Sequence, residues 1–142
     1  VQKYLNRVSG PLLDRIDLHV EVTPVAFTEL TSRANGEPSA LIRERVVRAR
    51  ALQADRFREQ DGIYANAQMG HRTLRDVCRL DESGTQLLKK AMERLNLSAR
   101  AYDRILKVSR TIADLAESPG ICTAHVAEAI QYRSLDREGW GG

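Results

Sequence analysis

Cysteine is nearly absent from this chain, with only Cys78 and Cys122 in 142 residues. Two thiols so far apart make no disulfide framework and read as free, buried thiols of a reducing compartment. Metal-ligand patterns are equally thin. Cys122 and His125 have ligand-like spacing, but no second close pair accompanies them, so no metal site is expected. No apolar run approaches the roughly 20 residues that cross a bilayer, so no membrane partner is expected and the chain is placed in the cytoplasm. An initiator Met and a signal peptide are also missing. The chain starts at Val1 and therefore reads as a piece of something longer. Catalytic signatures are lacking too. There is no GxxxxGK[ST] phosphate loop, no acidic run after a strand to hold magnesium, and no Ser/His/Asp or Cys/His set at recognisable spacing. By itself this chain is expected to hydrolyse nothing.

The residues that are present favour helices and are mildly basic. Hydrophobic residues make up 42% and charged residues 29%, a globular balance for one domain's length. Aromatic content is 5%, while Ala, Leu and Arg are common, which favours helices over sheets. The formal charge of +3 is compatible with a nucleic acid partner and does not establish one.

The first residues, "VQKYLNRVSG", read as the tail of a helix ended by Ser9-Gly10, with Pro11 opening a short second helical piece. "IDLHVEV" then alternates, placing Ile16, Leu18, Val20 and Val22 on one side and Asp17, His19 and Glu21 on the other. That is the pattern of a half-buried strand. No second strand of comparable quality is present, and a lone strand cannot satisfy its own backbone groups. Turn-forming residues from Pro24 through Asn35-Gly36 to Pro38 separate this stub from the rest of the chain.

From Ser39 onward the period is helical. "SALIRERVVRARALQADRFREQ" keeps Leu41, Ile42, Val46, Ala49, Leu52 and Phe57 near one side, and Asp61-Gly62 stops it. "HRTLRDVCRL" places Leu74, Val77 and Cys78 at helical spacing. Asp81 caps a helix with the stripe Leu87, Leu88, Ala91, Met92 and Leu95. Ser98 caps the next, whose Tyr102, Ile105, Leu106, Ile112, Ala113 and Ala116 face one way. Pro119-Gly120 ends it, and Thr123 is expected to cap "AHVAEAIQYR". The fold class is mainly α: a helical bundle preceded by a stub with a short helix and one strand. We divide the chain into a stub at 1–24, a connector at 25–40, a helical unit at 41–137 and a frayed tail at 138–142.

Three arginine settings stand out. Arg15 sits between Asp14 and Asp17 at the end of the short helix, just before the strand, and reads either as a local ion pair at a helix end or as a planar, always-charged, bidentate phosphate ligand presented by a rigid edge. Arg100 lies in the first turn of the helix capped by Ser98. It reads either as a solvated surface residue or, since a cation is mildly unfavourable there, as one that an arriving anion such as a nucleotide phosphate meets. Arg43, Arg45, Arg48 and Arg50 lie on one helix with Arg56 and Arg58. They read either as a solvated charged face or as a stripe that tracks DNA phosphates without reading sequence.

The segments "YLNRVSGPLLDRIDLHVEV", "NLSARAYDRILKVSRTIADL" and "HVAEAIQYRSLDR" together resemble the C-terminal part of the magnesium-chelatase-related AAA+ ATPases, in their competence-protein branch. The resemblance implies that the strand is the last of a parallel ATPase sheet and that the helices form the lid subdomain. It implies that Arg15 is an arginine finger reaching the γ-phosphate held by an adjacent protomer, and that Arg100 is the sensor-2 arginine. Arg7 is a further candidate for a contact in trans. It also implies ATP and magnesium as cofactors of the full-length protein, with neither held by this stretch alone, and assembly with copies of itself into a ring, expected to be a hexamer. The competence branch implies action on DNA, as a branch-migration motor during transformation and recombination. Two alternatives stand beside it: a magnesium-chelatase motor subunit of tetrapyrrole synthesis, and a stand-alone helical DNA-binding module in residues 71–133. The second lacks a helix with the polar leading turn that reads bases. Residues before about Pro24 are expected to be displaced, disordered or paired with another copy.

Overall fold

The computed structural model describes residues 15–25 and 36–133, together with residues 12, 27 and 31. Five α-helices succeed one another: α1 (Ser39–Phe57), α2 (His71–Val77), α3 (Glu82–Arg94), α4 (Ala99–Leu115) and α5 (Thr123–Gln131), with a 3-10 turn at Asn66–Gln68. The chain is mainly α. The central element is α4, which packs on α5, α1, α2 and the 3-10 turn, while α3 packs on α5.

Local chemistry explains the helix ends. The Asp81 carboxylate accepts from the Gly84 N–H at 2.6 Å, and Ser98 Oγ accepts from the Ala101 N–H at 3.2 Å. Each satisfies a donor that the first turn leaves open, a contribution of about 1 kcal/mol. Both α3 and α4 close in the same way at their other ends. The Leu97 N–H returns to the Met92 carbonyl at 3.0 Å, and the Ser118 N–H returns to the Ala113 carbonyl at 2.8 Å. The residues in between, Asn96 and Glu117, adopt left-handed φ values of 48° and 55°.

The core is a continuous apolar cluster. Leu74 of α2, Leu88 of α3, Ile105 and Leu106 of α4, and Val126 and Ala129 of α5 are all buried. Full burial of one such aliphatic side chain is worth about 1.5–3 kcal/mol. A parallel bridge between Leu80 and Ile121 ties together the two loops that enter α3 and α5.

Several expectations change. No strand forms among the described residues of 16–25. Val20 is 70% and Val22 88% exposed, because no neighbouring strand among the described residues offers its backbone to the alternating stretch. Helix α1 ends at Phe57, before Asp61-Gly62, and buries Ala49, Gln53 and Phe57. Leu41, Ile42 and Val46 are exposed, because the buried positions of the helix all fall in its C-terminal half, and Leu52 lies in that half but is exposed as well. Tyr102 is also exposed rather than in the core. At α5 the cap is Cys122, not Thr123. His125 Nδ1 accepts from the Cys122 N–H at 3.1 Å, the contact that a Glu or Gln at this position makes in a capping box. Cys122 is consequently exposed, while Cys78 is buried and both thiols are free. The expected short helix at 11–15 and the tail at 138–142 lie largely or wholly outside the described residues.

Candidate functional site

The site begins at the N-terminus of α4. Arg100 is the second residue of this helix, exposed, and its guanidinium has no partner among the described residues. The first turn carries no acidic residue to balance the positive end of the helix. One turn later, on the same face, Arg104 forms an ion pair with Asp17, 87 positions away in sequence.

That contact brings the N-terminal segment onto the bundle, and two more secure it. Arg133, at the end of α5 and 1% exposed, donates from Nη1 to the Ile16 carbonyl at 2.5 Å. The His19 N–H donates to the Tyr132 carbonyl at 2.7 Å, and the His19 side chain is buried. Residues 16–19 are thereby fixed to the joint of α4 and α5. Beside them runs a groove of about 330 Å³ lined by Asp17, Leu18, Arg104, Lys107, Thr111 and Tyr132. Arg15 immediately precedes the fixed stretch. It is exposed, and its side chain has no partner among the described residues. Arg15 and Arg100 therefore flank a single ion pair, the first two residues before Asp17 and the second one helical turn before Arg104. Arg7 lies outside the described residues.

The arginines of α1 divide into two groups. Arg45 pairs with Glu37, and Arg48 Nε meets Glu117 Oε1 at 2.7 Å, both on the surface. Arg43 and Arg50, seven residues apart and so on nearly one face, are exposed without partners among the described residues. Arg58 meets Asp55 at 3.3 Å and Glu59 at 3.8 Å.

Arg56 behaves differently, because it enters a buried polar cluster that sequence reasoning did not anticipate. Asp114 is fully buried and accepts from Arg56 at 2.8 and 2.5 Å, from Asn66 Nδ2 at 2.7 Å and from Arg110 Nε at 3.1 Å. Asn66 also donates to Thr111 Oγ1 at 3.0 Å, and Arg56 donates to Asn66 Oδ1 at 2.8 Å. Burial alone would raise the Asp114 pKa. The hydrogen bonds from Arg56 and Asn66 and the two nearby cations outweigh it and hold the carboxyl below the ordinary range. One signal was available in the sequence: an acid in the last turn of α4 opposes the helix dipole and needs cations around it. This cluster locks α1, the 3-10 turn and α4 together and leaves its carboxylate no free lone pair for a ligand. Burial likewise pushes the Cys78 thiol up to about 12, which removes it as a nucleophile near neutrality.

Arg15 and Arg100 are exposed and unengaged among the described residues, which contain no group of three or more acidic, His or Cys side chains suited to a metal. No helix among the described residues is long and apolar enough to cross a membrane.

The sequence is similar to those of known proteins. Residues 36–133 match the family described as magnesium chelatase, subunit ChlI C-terminal, and residues 1–30 match magnesium chelatase, subunit ChlI. The chain is 42% identical over 138 residues to the competence protein ComM of Haemophilus influenzae, covering 96% of this chain and 26% of that protein. It is 40% identical over 137 residues to YifB of Escherichia coli, covering 95% of this chain and 26% of YifB. A Mycobacterium bovis protein is 39% identical over 134 residues, covering 93% of this chain and 26% of its own length. The chain thus spans about a quarter of the length of these relatives. With its helical unit matched from end to end and its first residues matched to the adjoining part of the same subunit, the chain belongs to the magnesium chelatase ChlI family.

Proposed function

We propose that this chain is the C-terminal part of an ATP-driven AAA+ motor that acts on DNA, contributing an arginine finger, Arg15, and a sensor-2 arginine, Arg100. The observation that carries this reading is the pair of exposed, unengaged guanidinium groups held on either side of the Asp17–Arg104 contact. An arginine left without a carboxylate is ready for phosphate oxygens, which a planar fork engages bidentately. Bound ATP with magnesium supplies the phosphoryl group to be transferred. In a ring of copies, Arg15 stabilises the charge that develops on the γ-phosphate of the adjacent protomer, and Arg100 meets the phosphates from the lid. A finger needs a neighbour's nucleotide, which calls for assembly, and the family resemblance implies that the ring is a hexamer. The exposed α1 arginines Arg43 and Arg50, with the surface-paired Arg45 and Arg48, are the candidates for DNA phosphates.

The test is Arg15→Ala in the full-length protein. An arginine finger is worth roughly 10³–10⁵ in rate, or about 4–7 kcal/mol of transition-state stabilisation. Turnover should nearly vanish while nucleotide binding persists, and normal turnover would refute the assignment.

The family's description also favours a second reading, a motor subunit of magnesium chelatase that works through a protein partner. Affinity for DNA separates the two. The DNA motor should bind duplex or single strands with a log affinity that falls steeply with log salt, whereas the chelatase subunit should show no such binding.

A further inference from the structure

We propose that the Asp17–Arg104 ion pair is a positioning tie that couples α4 to Arg15, so that movement of Arg100 on its own nucleotide is passed to the finger offered to the next protomer. This deepens, and rests on, the assignment of Arg15 as finger and Arg100 as sensor.

Residues 16–25 have no regular secondary structure, and beside the buried His19 side chain directional polar contacts fix residues 16–19 to the bundle. Arg133 holds the Ile16 carbonyl, the Tyr132 carbonyl holds the His19 N–H, and Arg104 holds the Asp17 carboxylate between them. Two of these partners stand at the end of α5, which packs on α4, and the third is on α4 itself. A short segment fixed at three successive points moves with its platform.

The Asp17–Arg104 contact differs from the other two because it alone joins the finger's segment to the helix that carries Arg100. An α-helix rises 1.5 Å per residue, so Arg100 and Arg104 are separated by about 6 Å along one face of a rigid rod. A shift of Arg100 towards a phosphate therefore displaces Arg104 and, through it, Asp17. The pair has a second consequence. Arg104 engages the carboxylate two residues from Arg15, and Arg15 has no intrachain acceptor among the described residues. Without Arg104, Asp17 is free to compete with phosphate for the finger.

The experiment uses the full-length ATPase, with turnover measured across ATP concentrations and nucleotide affinity followed with a fluorescent ATP analogue. Asp17→Arg and Arg104→Asp are compared with the double exchange and with Arg15→Ala. Because a displaced finger weakens only the transition state, each single variant should lose about tenfold in kcat with KM changed less than about twofold. The double exchange rebuilds the pair with reversed polarity and should recover kcat to within about threefold of the parent. A role confined to folding would lower analogue binding and melting temperature together, without a selective kcat loss. Should a reversal abolish analogue binding, Asp17→Asn and Arg104→Gln are read by the same criteria. If Arg15→Ala abolishes turnover while the single variants keep parental kcat, the tie is refuted and the finger stands. If the singles are slow and the double is no faster, the tie is also refuted. If Arg15→Ala itself turns over normally, the underlying assignment fails first.

Discussion

At the C-terminal end of α4, Arg110 is 4% exposed and spends its guanidinium on Asp114 and on the Ser118 and Pro119 carbonyls. At the N-terminal end, Arg100 is exposed and engages nothing among the described residues. One helix thus carries the same side chain in opposite circumstances. A buried cation is tolerated only when its donors are satisfied, so Arg110 is answered on every side. The helix dipole sharpens the contrast, since it favours a cation at the C-terminus and disfavours one at the N-terminus. Arg110 therefore stabilises this bundle, while Arg100 gains little within it and is suited to an anion from outside.

The contrast breaks most visibly at Arg100. Arg100→Ala in the full-length protein should reduce turnover by about 10²–10³-fold, the usual cost of removing one preorganised contact to developing charge. Its melting temperature should stay at the parental value, because no partner is lost. A variant that melts lower and turns over normally would reverse the two roles.

The opposite outcome is expected at Asp114. Asp114→Ala leaves Arg56 and Arg110 facing each other with their shared acceptor removed, and should cost about 3–5 kcal/mol in denaturant unfolding of this chain. Acid should act in the same direction. The folded-state pKa of Asp114 is depressed, so its contribution is fully present above the ordinary carboxylate value of about 4 and is lost as the pH falls below it. Unfolding curves at pH 7 and pH 3 check this, and Asp114→Asn should flatten the difference between them. A parental pH dependence in that variant would assign the acid sensitivity to other carboxylates.

How far these features could be read in advance depended on how local their physics is. The Asp81 and Ser98 caps, the apolar stripe of α3 and the middle of the α4 stripe arise from residues within a turn of one another, and they stand where the pattern placed them, while Tyr102 and Ala116 at the ends of the α4 stripe are exposed. The Cys122 cap does not stand where the pattern placed it, because cysteine is not among the usual capping residues and the reciprocal contact to its N–H comes from the imidazole of His125. The alternation from Ile16 to Val22 is equally local, but a strand needs a partner's backbone, and the described residues provide none. Leu41, Ile42 and Val46 share a face of α1 in sequence, yet nothing in that pattern says where the neighbouring helix stops. The Asp114 cluster and the Asp17–Arg104 pair join residues 58 and 87 positions apart, and no local pattern announces either. Arg15 and Arg100 were located by family likeness, and the contact between their segments by the structure alone.

The smallest expected effect tests the end of α4 from the other side. Glu117 takes a φ of 55°, a left-handed conformation that costs a side-chain-bearing residue about 1–2 kcal/mol and glycine almost nothing. Glu117→Gly removes that cost. It also removes the surface pair with Arg48, worth at most about 1 kcal/mol, and adds the flexibility of glycine to the unfolded chain. The balance is a gain below about 1 kcal/mol in denaturant unfolding. Asn96→Gly, at a φ of 48° with no ion pair to lose, should gain less still, because asparagine already tolerates this region. A clear loss at Glu117 instead would mean that the Arg48 pair helps to anchor the overhanging half of α1. The same substitution also frees Arg48. If the α1 arginines track DNA phosphates, Glu117→Gly should strengthen DNA binding by the full-length protein at low salt, and the difference should fade as salt screens the added charge.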